Sequence, residues 1–144
     1  MDARDKPHAH AGHLQLVVVT PEATVLDEAA QFVALPLFDG EIGIAPLHSP
    51  MIGRLGYGEM RVKHDGQVDR YYVDGGFVQV VDNVVSVLTG RALPAGALDA
   101  EVAAKQLAEA RRRPSNTPEL MALRDRAELQ ARAQLRVARH AGAA

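Results

Sequence analysis

Apolar and polar residues alternate along the chain up to about residue 96, at the period of two that is typical of half-buried β-strands. Leu14, Leu16 and Val18 share one face of the first predicted strand. Further short strands, separated by glycine, proline and Asp-Gly turns, are predicted at residues 24–26, 31–35, 60–63 and 71–73. Some eight or nine strands of this kind favour an antiparallel β-sandwich or a flattened barrel.

Residues 78–87 predict the clearest hairpin of this region. A register that places Val80 opposite Val85 also places Gln79 opposite Ser86. The valines then share one face and the polar residues share the other. An antiparallel sheet that covers a core on one side has this pattern.

After residue 96 the pattern changes to that of two helices. Asp99 is predicted to cap the first helix, which ends at the basic run Arg111–Arg113. Thr117 and Pro118 are predicted to begin the second helix, which runs to about Arg139. The apolar stripes of the two helices are Val102, Ala103, Leu107 and Ala110, and Leu120, Leu123, Ala127, Ala131, Leu135 and Ala138. Because alanine buries little area, the helical hairpin is a candidate moving part, although a permanently packed hairpin fits the pattern equally well.

These patterns divide the chain into three parts. We predict a flexible N-terminal tail (1–12), a β-sandwich domain (13–96) and an α-helical hairpin domain (97–144). The net charge is −5 before residue 97 and +3 from there on. A split of this kind is typical of regions with different partners.

Composition excludes several classes of function. The 144 residues include no cysteine and no tryptophan, and only 4% are aromatic. Disulfide frameworks, thiolate metal sites and base-stacking platforms are therefore excluded. The Arg111–Arg113 run is more typical of a solvated helix end than of a nucleic-acid site. No apolar run reaches 18 residues, so no direct membrane insertion is expected.

Candidate catalytic residues are few. His48 and Ser49 are neighbours, but adjacent side chains on a strand or loop point apart. His8, His10 and His13 have a spacing that could bind a metal, but they fall in the predicted tail, where an incidental cluster is the better interpretation. We therefore predict no catalytic residue and no metal site.

Two segments and the order of the domains carry a resemblance to a known family. The segments are DGEIGIAPLHSP at residues 39–50 and YVDGGFVQV at residues 72–80. With a β domain followed by two helices, the chain resembles the epsilon-subunit family of bacterial F-type ATP synthases from about His13 to Arg139. The resemblance implies a β-sandwich of about ten strands that carries a C-terminal helical hairpin.

The resemblance also implies a function. Such a subunit has no catalytic activity and no cofactor. It belongs to the central stalk of a proton-translocating ATP synthase, peripherally bound at the cytoplasmic face of the bacterial inner membrane. It helps to transmit rotation of the c-ring to the catalytic head through the gamma subunit, and its C-terminal helices restrain ATP hydrolysis by reaching the alpha and beta subunits.

Contact residues follow from the same resemblance. The expected contacts with the c-ring are Asp39, Gly40, Glu41 and Ile42. The expected contacts with gamma are Thr20, His48 and Gly53. The expected contacts of the extended hairpin with alpha and beta are Arg124, Arg132, Arg136 and Arg139.

One departure concerns regulation by ATP. Some bacterial members of the family bind ATP at a helix start that carries an arginine, and here the same segment is LDAEVA at residues 98–103. Val102 stands at the arginine position, which removes a charge-assisted phosphate donor. Arg124 or Arg126 could compensate for the missing arginine, beside Asp99, so regulatory binding of ATP stays open; no other cofactor is expected.

Two other classes of protein stay open at this point. A stand-alone β-sandwich binding module with a dimerising helical tail would form a stable homodimer. A small enzyme would hold a strongly perturbed acid or histidine in a deep pocket.

Overall fold

The computed structural model describes residues 12–142, so all of the predicted N-terminal tail except Gly12 lies outside the described residues. Within this range, eight β-strands precede two α-helices. The strands are β1 (Leu14–Val19), β2 (Thr24–Ala30), β3 (Phe32–Leu37), β4 (Gly40–Ile44), β5 (Met51–His64), β6 (Gln67–Val81), β7 (Val84–Leu88) and β8 (Ala92–Pro94). A short 3-10 turn (Ala95–Ala97) leads to α1 (Ala100–Arg111) and α2 (Pro118–Gly142).

The strands form a sandwich because two of them bend. Hydrogen bonds follow the order β2-β1-β7-β6-β5-β3-β4, with β8 on the other half of β6. The pairing is antiparallel except between β1 and β7. β5 and β6 have 14 and 15 residues, and their pairing skips Gly56 and Gly75. The two halves of β5 therefore belong to different layers, and so do the two halves of β6.

The bend explains the difference between the expected and the observed number of strands. About ten strands were expected, and the described residues form eight, because β5 and β6 each replace two short strands. Gly76 makes the bend feasible. Its φ is +107°, and a Cβ there would lie 1.8 Å from the carbonyl oxygen of Leu88. No other residue fits this position without displacing β7.

The core lies between the two layers. Leu14, Leu16 and Val18 are fully buried, as their alternation predicts. They pack in one cluster with buried residues of the opposite layer, among them Val33, Leu35, Ile44, Met60 and Val62. Large apolar residues thus belong to the sandwich rather than to the helices.

The predicted turns are confirmed. Asp65 and Gly66 have φ values of +50° and +76°, and Asp82 and Asn83 have +49° and +64°. Two successive positive φ values define the tight turn that matches the twist of a hairpin. The register of the second hairpin is the predicted one, with Val80 opposite Val85 and Gln79 opposite Ser86.

Both helices begin where the sequence predicts. The carboxylate of Asp99 accepts hydrogen bonds from the amides of Glu101 and Val102, at 2.8 and 3.3 Å. The hydroxyl of Thr117 accepts one from the amide of Leu120, at 3.1 Å. α2 continues to Gly142, three residues beyond the predicted end.

The faces that the helices bury differ from the predicted stripes. Ala131 and Leu135 of α2 pack on Ala103 and Leu107 of α1, as predicted. Val102 and Leu123 were placed in the apolar stripes, but they are 49% and 56% exposed. The prediction was wrong for Leu123 because α2 also covers the sandwich, so its buried positions include Ala133 and Val137. It was wrong for Val102 because the buried face of α1 is narrow and is centred on Ala103, Leu107 and Ala110.

The second contact of α2 covers the outer side of the layer that contains β8. Ala133 and Val137 pack there against Tyr72 and Ala95. Tyr72 is fully buried beneath the helix. The hairpin is thus docked on the sandwich through a small apolar cluster.

Candidate interaction surfaces

One surface of the sandwich is unusually apolar for a position open to solvent. Phe38, Ile52, Phe77 and Leu88 are 71%, 76%, 58% and 56% exposed. Phe77 lies opposite Leu88 in the β6–β7 ladder, and opposite Arg54 in the β5–β6 ladder. The guanidinium carbon of Arg54 lies 4.8 Å from the centre of the Phe38 ring. We call these four apolar residues the outer apolar face.

A groove of about 970 Å³ separates the outer apolar face from α2. Phe38 and Phe77 line its sandwich side, and Leu129, Arg132 and Arg136 line its helix side. Leu129 is 52% exposed. An apolar floor with a basic rim of this kind can accept an apolar segment of another protein that carries acidic residues.

The predicted c-ring contacts belong to the β3–β4 hairpin. Residues 40–44 form strand β4, because Glu41 pairs with Pro36 and Gly40 pairs with Leu37. Asp39, Gly40 and Glu41 are exposed, whereas Ile42 is half-buried against the core.

Glu41 is bound to the sandwich by an ion pair. Its Oε1 accepts a hydrogen bond from Arg61 Nη2 at 2.6 Å. This contact raises the pKa of Arg61, as does the charge of Glu41, against the opposing effect of burial. The acid is therefore held in place on β4 while half of its side chain stays open to solvent.

Glu59 connects the end of α2 to the sandwich. Its carboxylate accepts hydrogen bonds from Arg70 at 2.8 Å and from Arg61 at 3.5 Å, and it contacts His140 Nδ1 at 2.9 Å. Burial disfavours the charged form, but the hydrogen bond of His140 and the charge of Arg70 outweigh it and lower the pKa of Glu59. A cavity of about 670 Å³ beside Glu59 separates β5 from the last turns of α2.

Asp74 makes a second polar connection to α2. It accepts hydrogen bonds from the hydroxyl of Tyr72 at 2.5 Å and from the amide of Gln130 at 3.2 Å to each oxygen. Arg91 lies 3.6 Å from the same carboxylate. Burial, followed by the hydrogen bond to Asp74, raises the pKa of Tyr72 far above its ordinary value.

The structure does not bring the three predicted gamma contacts together. Thr20 lies in the β1–β2 turn, at the end of β1. His48 lies in the β4–β5 loop, near the opposite end of β1. Its neighbour Leu47 donates its backbone amide to Asn83 Oδ1 at 2.6 Å, and Asn83 precedes the residue that pairs with Gln15. Gly53 faces the interior, where a Cβ would meet apolar side chains at 3.1 to 3.3 Å. Their role in gamma binding stays a prediction.

Four of the five arginines of α2 were expected to contact alpha and beta, and the docked helix gives them different surroundings. Arg132 pairs with Glu128 at 2.7 Å, and Arg124 bonds the carboxylate of its neighbour at 3.3 Å. Arg132 and Arg136 face the groove, so the docked hairpin turns them toward its own sandwich. Arg139 is exposed.

The residues suggested for nucleotide binding are also separate. The carboxylate of Asp99 is used as the cap of α1. Arg126 lines the groove beside the sandwich, which Asp99 does not line. Arg124 and Arg126 are two positions apart on α2 and project in nearly opposite directions.

Sequence reasoning missed both the outer apolar face and the Glu59 contacts. A signal for the face existed, because Phe77 and Leu88 stand at the polar positions of alternating strands, next to the buried Val78 and Val87. Glu59 gave no such signal, since its partners come from β5, β6 and the last turn of α2.

Comparisons with known proteins agree with this architecture. Residues 13–95 match the family described as the ATP synthase delta/epsilon chain, beta-sandwich domain. The chain is 56% identical over 126 residues to the ATP synthase epsilon chain of Rhodopirellula baltica, covering 88% of this chain and 98% of that protein. It is 45% identical over 103 residues to that of Desulfitobacterium hafniense, covering 70% and 78%.

Solved structures give the same result. A chain in the mitochondrial ATP synthase complex (OSCP, F1 and c-ring) of Euglena gracilis superposes with a TM-score of 0.74 at 26% identity, covering 92% of this chain and 82% of that one. A chain of the central stalk and c-ring complex of Tetrahymena thermophila superposes with a TM-score of 0.69, covering 87% and 96%. At 14% identity, the second match shows the fold alone.

The chain therefore belongs to the delta/epsilon family of ATP synthase subunits. Within that family it is of the epsilon type, as the relatives from both bacteria are. Neither helix in residues 12–142 is both long and apolar enough to cross a membrane.

Proposed function

We propose that the chain acts as a non-catalytic rotor subunit in the central stalk of a proton-translocating F-type ATP synthase. The observation that carries the proposal is the 56% identity to an epsilon chain over 98% of that protein's length. We further propose a peripheral position at the cytoplasmic face of a bacterial membrane. There the subunit couples rotation of the c-ring to the catalytic head.

The polar contacts support a role without catalysis. Glu59 and Asp74 have side chains that are only 12% and 11% exposed, and both are occupied by partners from the sandwich and from α2. An acid that holds two elements together is not available to move a proton to a substrate. We propose that the subunit works without a cofactor and does not sense ATP.

The outer apolar face is our proposed docking surface for the gamma subunit. Exposed apolar side chains on neighbouring strands lose contact with water when a partner covers them, which favours association. Arg54 and the arginines of the groove provide the polar rim that surrounds the apolar centre of typical interfaces. Thr20 and His48 then lie at the edges of the gamma contact rather than at its centre.

The β3–β4 hairpin is our proposed contact with the c-ring. Asp39 and Glu41 are exposed, and the ion pair to Arg61 fixes the direction of Glu41. A fixed, half-exposed acid costs less side-chain entropy on binding than a mobile one. This contact contributes specificity more than affinity.

The helical hairpin is our proposed restraint on ATP hydrolysis, acting through the alpha and beta subunits. α2 contributes only small residues to the docking cluster, Ala133, Val137 and Ala141, which cover Tyr72, Tyr57 and Leu98, so the helix itself loses little apolar burial on undocking. Release of α2 also frees Arg132 and Arg136 from the groove for new partners. Attraction of these arginines to acidic surfaces is screened by salt.

The gamma proposal is tested by copurification of gamma with charge-substituted variants. Phe77→Lys is expected to abolish binding, because it places an ammonium in the centre of the contact. Val68→Lys is the matched control, since Val68 is 47% exposed on the β5–β6 hairpin, outside the outer apolar face. Equal gamma binding by both variants contradicts the assignment of the face. A stable homodimer of the wild type that binds no gamma favours instead a stand-alone binding module.

A further inference from the structure

One histidine and two acids come together away from all the surfaces described above. Glu28 lies on β2, His64 at the end of β5 and Asp69 on β6. Each of them offers one ligand atom, and these atoms lie within 4.8 Å of one another. His64 Nε2 and Asp69 Oδ2 are 2.6 Å apart. All three residues are half-buried.

A separate observation concerns a carboxylate oxygen of Glu28. Oε1 of Glu28 is out of contact with solvent, and no donor within residues 12–142 hydrogen-bonds to it. A buried carboxylate oxygen without a donor is costly, so such an atom in a folded protein calls for a ligand. A bound metal displaces the proton of His64, and two carboxylates with a neutral imidazole then carry two negative charges, which match one divalent cation.

We propose that Glu28, His64 and Asp69 form a binding site for a divalent cation of the zinc type. One imidazole nitrogen and two carboxylate oxygens are ligands that Zn²⁺ accepts at about 2.0–2.2 Å. Tetrahedral geometry at that distance separates neighbouring ligand atoms by about 3.4 Å. The contact between His64 and Asp69 has to open by less than an ångström, and water completes the coordination. Mg²⁺ and Ca²⁺ prefer oxygen ligands alone.

The position of the cluster gives the cation a structural role. Among the described residues, β2 is the last strand at one end of the hydrogen-bonded path and pairs only with β1. His64 and Asp69 belong to the halves of β5 and β6 that form the opposite layer. A cation bound to all three residues adds a connection between the two layers, next to the backbone hydrogen bond from the Gln31 amide to the Lys63 carbonyl at 2.7 Å.

The test is an isothermal calorimetric titration of the full chain with ZnCl₂ at pH 7.5. All variants carry His8→Ala and His10→Ala, so that the N-terminal histidines cannot bind the zinc. One equivalent of zinc is expected to bind. Asp69→Asn and Glu28→Gln are expected to raise the Kd by at least about tenfold. The matched control is Asp65→Asn, a neighbouring acid outside the cluster, which is expected to leave the Kd within about twofold.

Three outcomes overturn the proposal. They are no binding at millimolar zinc, binding that disappears with His8 and His10, and binding that Asp69→Asn and Glu28→Gln leave unchanged. Thermal unfolding without zinc checks that each variant folds. Glu28→Gln serves as the second test if Asp69→Asn does not fold, because it keeps the shape of the side chain and removes an unsatisfied charge.

Discussion

Replacement of Gln130 by alanine is expected to release the helical hairpin more often from the sandwich. The side-chain amide of Gln130 donates to both oxygens of Asp74 at 3.2 Å. This contact joins α2 directly to a nearly buried carboxylate of the sandwich. Asp74 keeps the hydroxyl of Tyr72 as a donor, so no unsatisfied charge stays behind in the variant.

The size of the effect follows from these contacts. A hydrogen bond to a charged group contributes about 1.5–3 kcal/mol, and the lower value applies here because both distances are long. About 1.4 kcal/mol changes an equilibrium tenfold, so the undocked fraction of α2 is expected to rise by about that factor. The sandwich should keep its stability, since Gln130 makes no contact with the core between the layers.

Amide hydrogen exchange of the isolated chain measures this fraction. Backbone amides of α2 are expected to exchange about tenfold faster in Gln130→Ala, while those of β1 and β7 stay unchanged. Gln106→Ala is the matched control, because Gln106 is exposed on α1 and both variants change helix propensity by the same amount, from glutamine to alanine. Equal exchange in α2 of both variants would refute the inference that the bond to Asp74 holds the hairpin.

Three further predictions concern the proposed function and the pH response. Glu41→Lys is expected to weaken the contact with the c-ring on the order of 1 kcal/mol, and so to weaken coupling, without unfolding the chain. Proton pumping in reconstituted vesicles measures the coupling, with Glu22→Lys as the control. Unchanged pumping by Glu41→Lys contradicts the proposed contact. Deletion of residues 98–144 should leave a folded β domain that still binds gamma. The ATP synthase that contains the truncated subunit should hydrolyse ATP faster than the intact enzyme, and added salt should reduce the difference between the two rates. Equal hydrolysis rates at low salt exclude an inhibitory hairpin. The pKa of Glu59 is lowered in the fold, so its contribution to stability is complete above the ordinary carboxyl value of 4.5 and is lost as the pH falls through the lower, folded value. Glu59→Gln should therefore lose less stability than the wild type over this acid range. An acid unfolding curve of the same shape as that of the wild type contradicts this prediction.

The parts of the fold that depend on local pattern were predictable. Val80 opposite Val85 follows from alternation and a two-residue turn, and Asp99 follows from its preference for caps. Each of these features depends on a few neighbouring residues. Local preferences are therefore sufficient to predict them.

Features that depend on distant residues were not predictable. Leu123 is exposed because α2 divides its small apolar surface between α1 and the sandwich, and alanine-rich helices give little contrast to show such a division. The pairing that makes Glu41 part of a strand requires β3 as a partner. The outer apolar face joins residues from three strands and the β3–β4 turn, so only the folded sheet brings them together.

The burial of Tyr72 beneath α2 gives the chain an internal optical reporter. The sequence contains three tyrosines and no tryptophan, so its near-ultraviolet absorption is simple. While the hairpin is docked, the raised pKa of Tyr72 keeps its phenol un-ionised in mild alkali. Once α2 leaves, water reaches the ring and the phenol ionises near its ordinary value of about 10. Absorption spectroscopy can thus follow the position of the helical hairpin in the unlabelled protein.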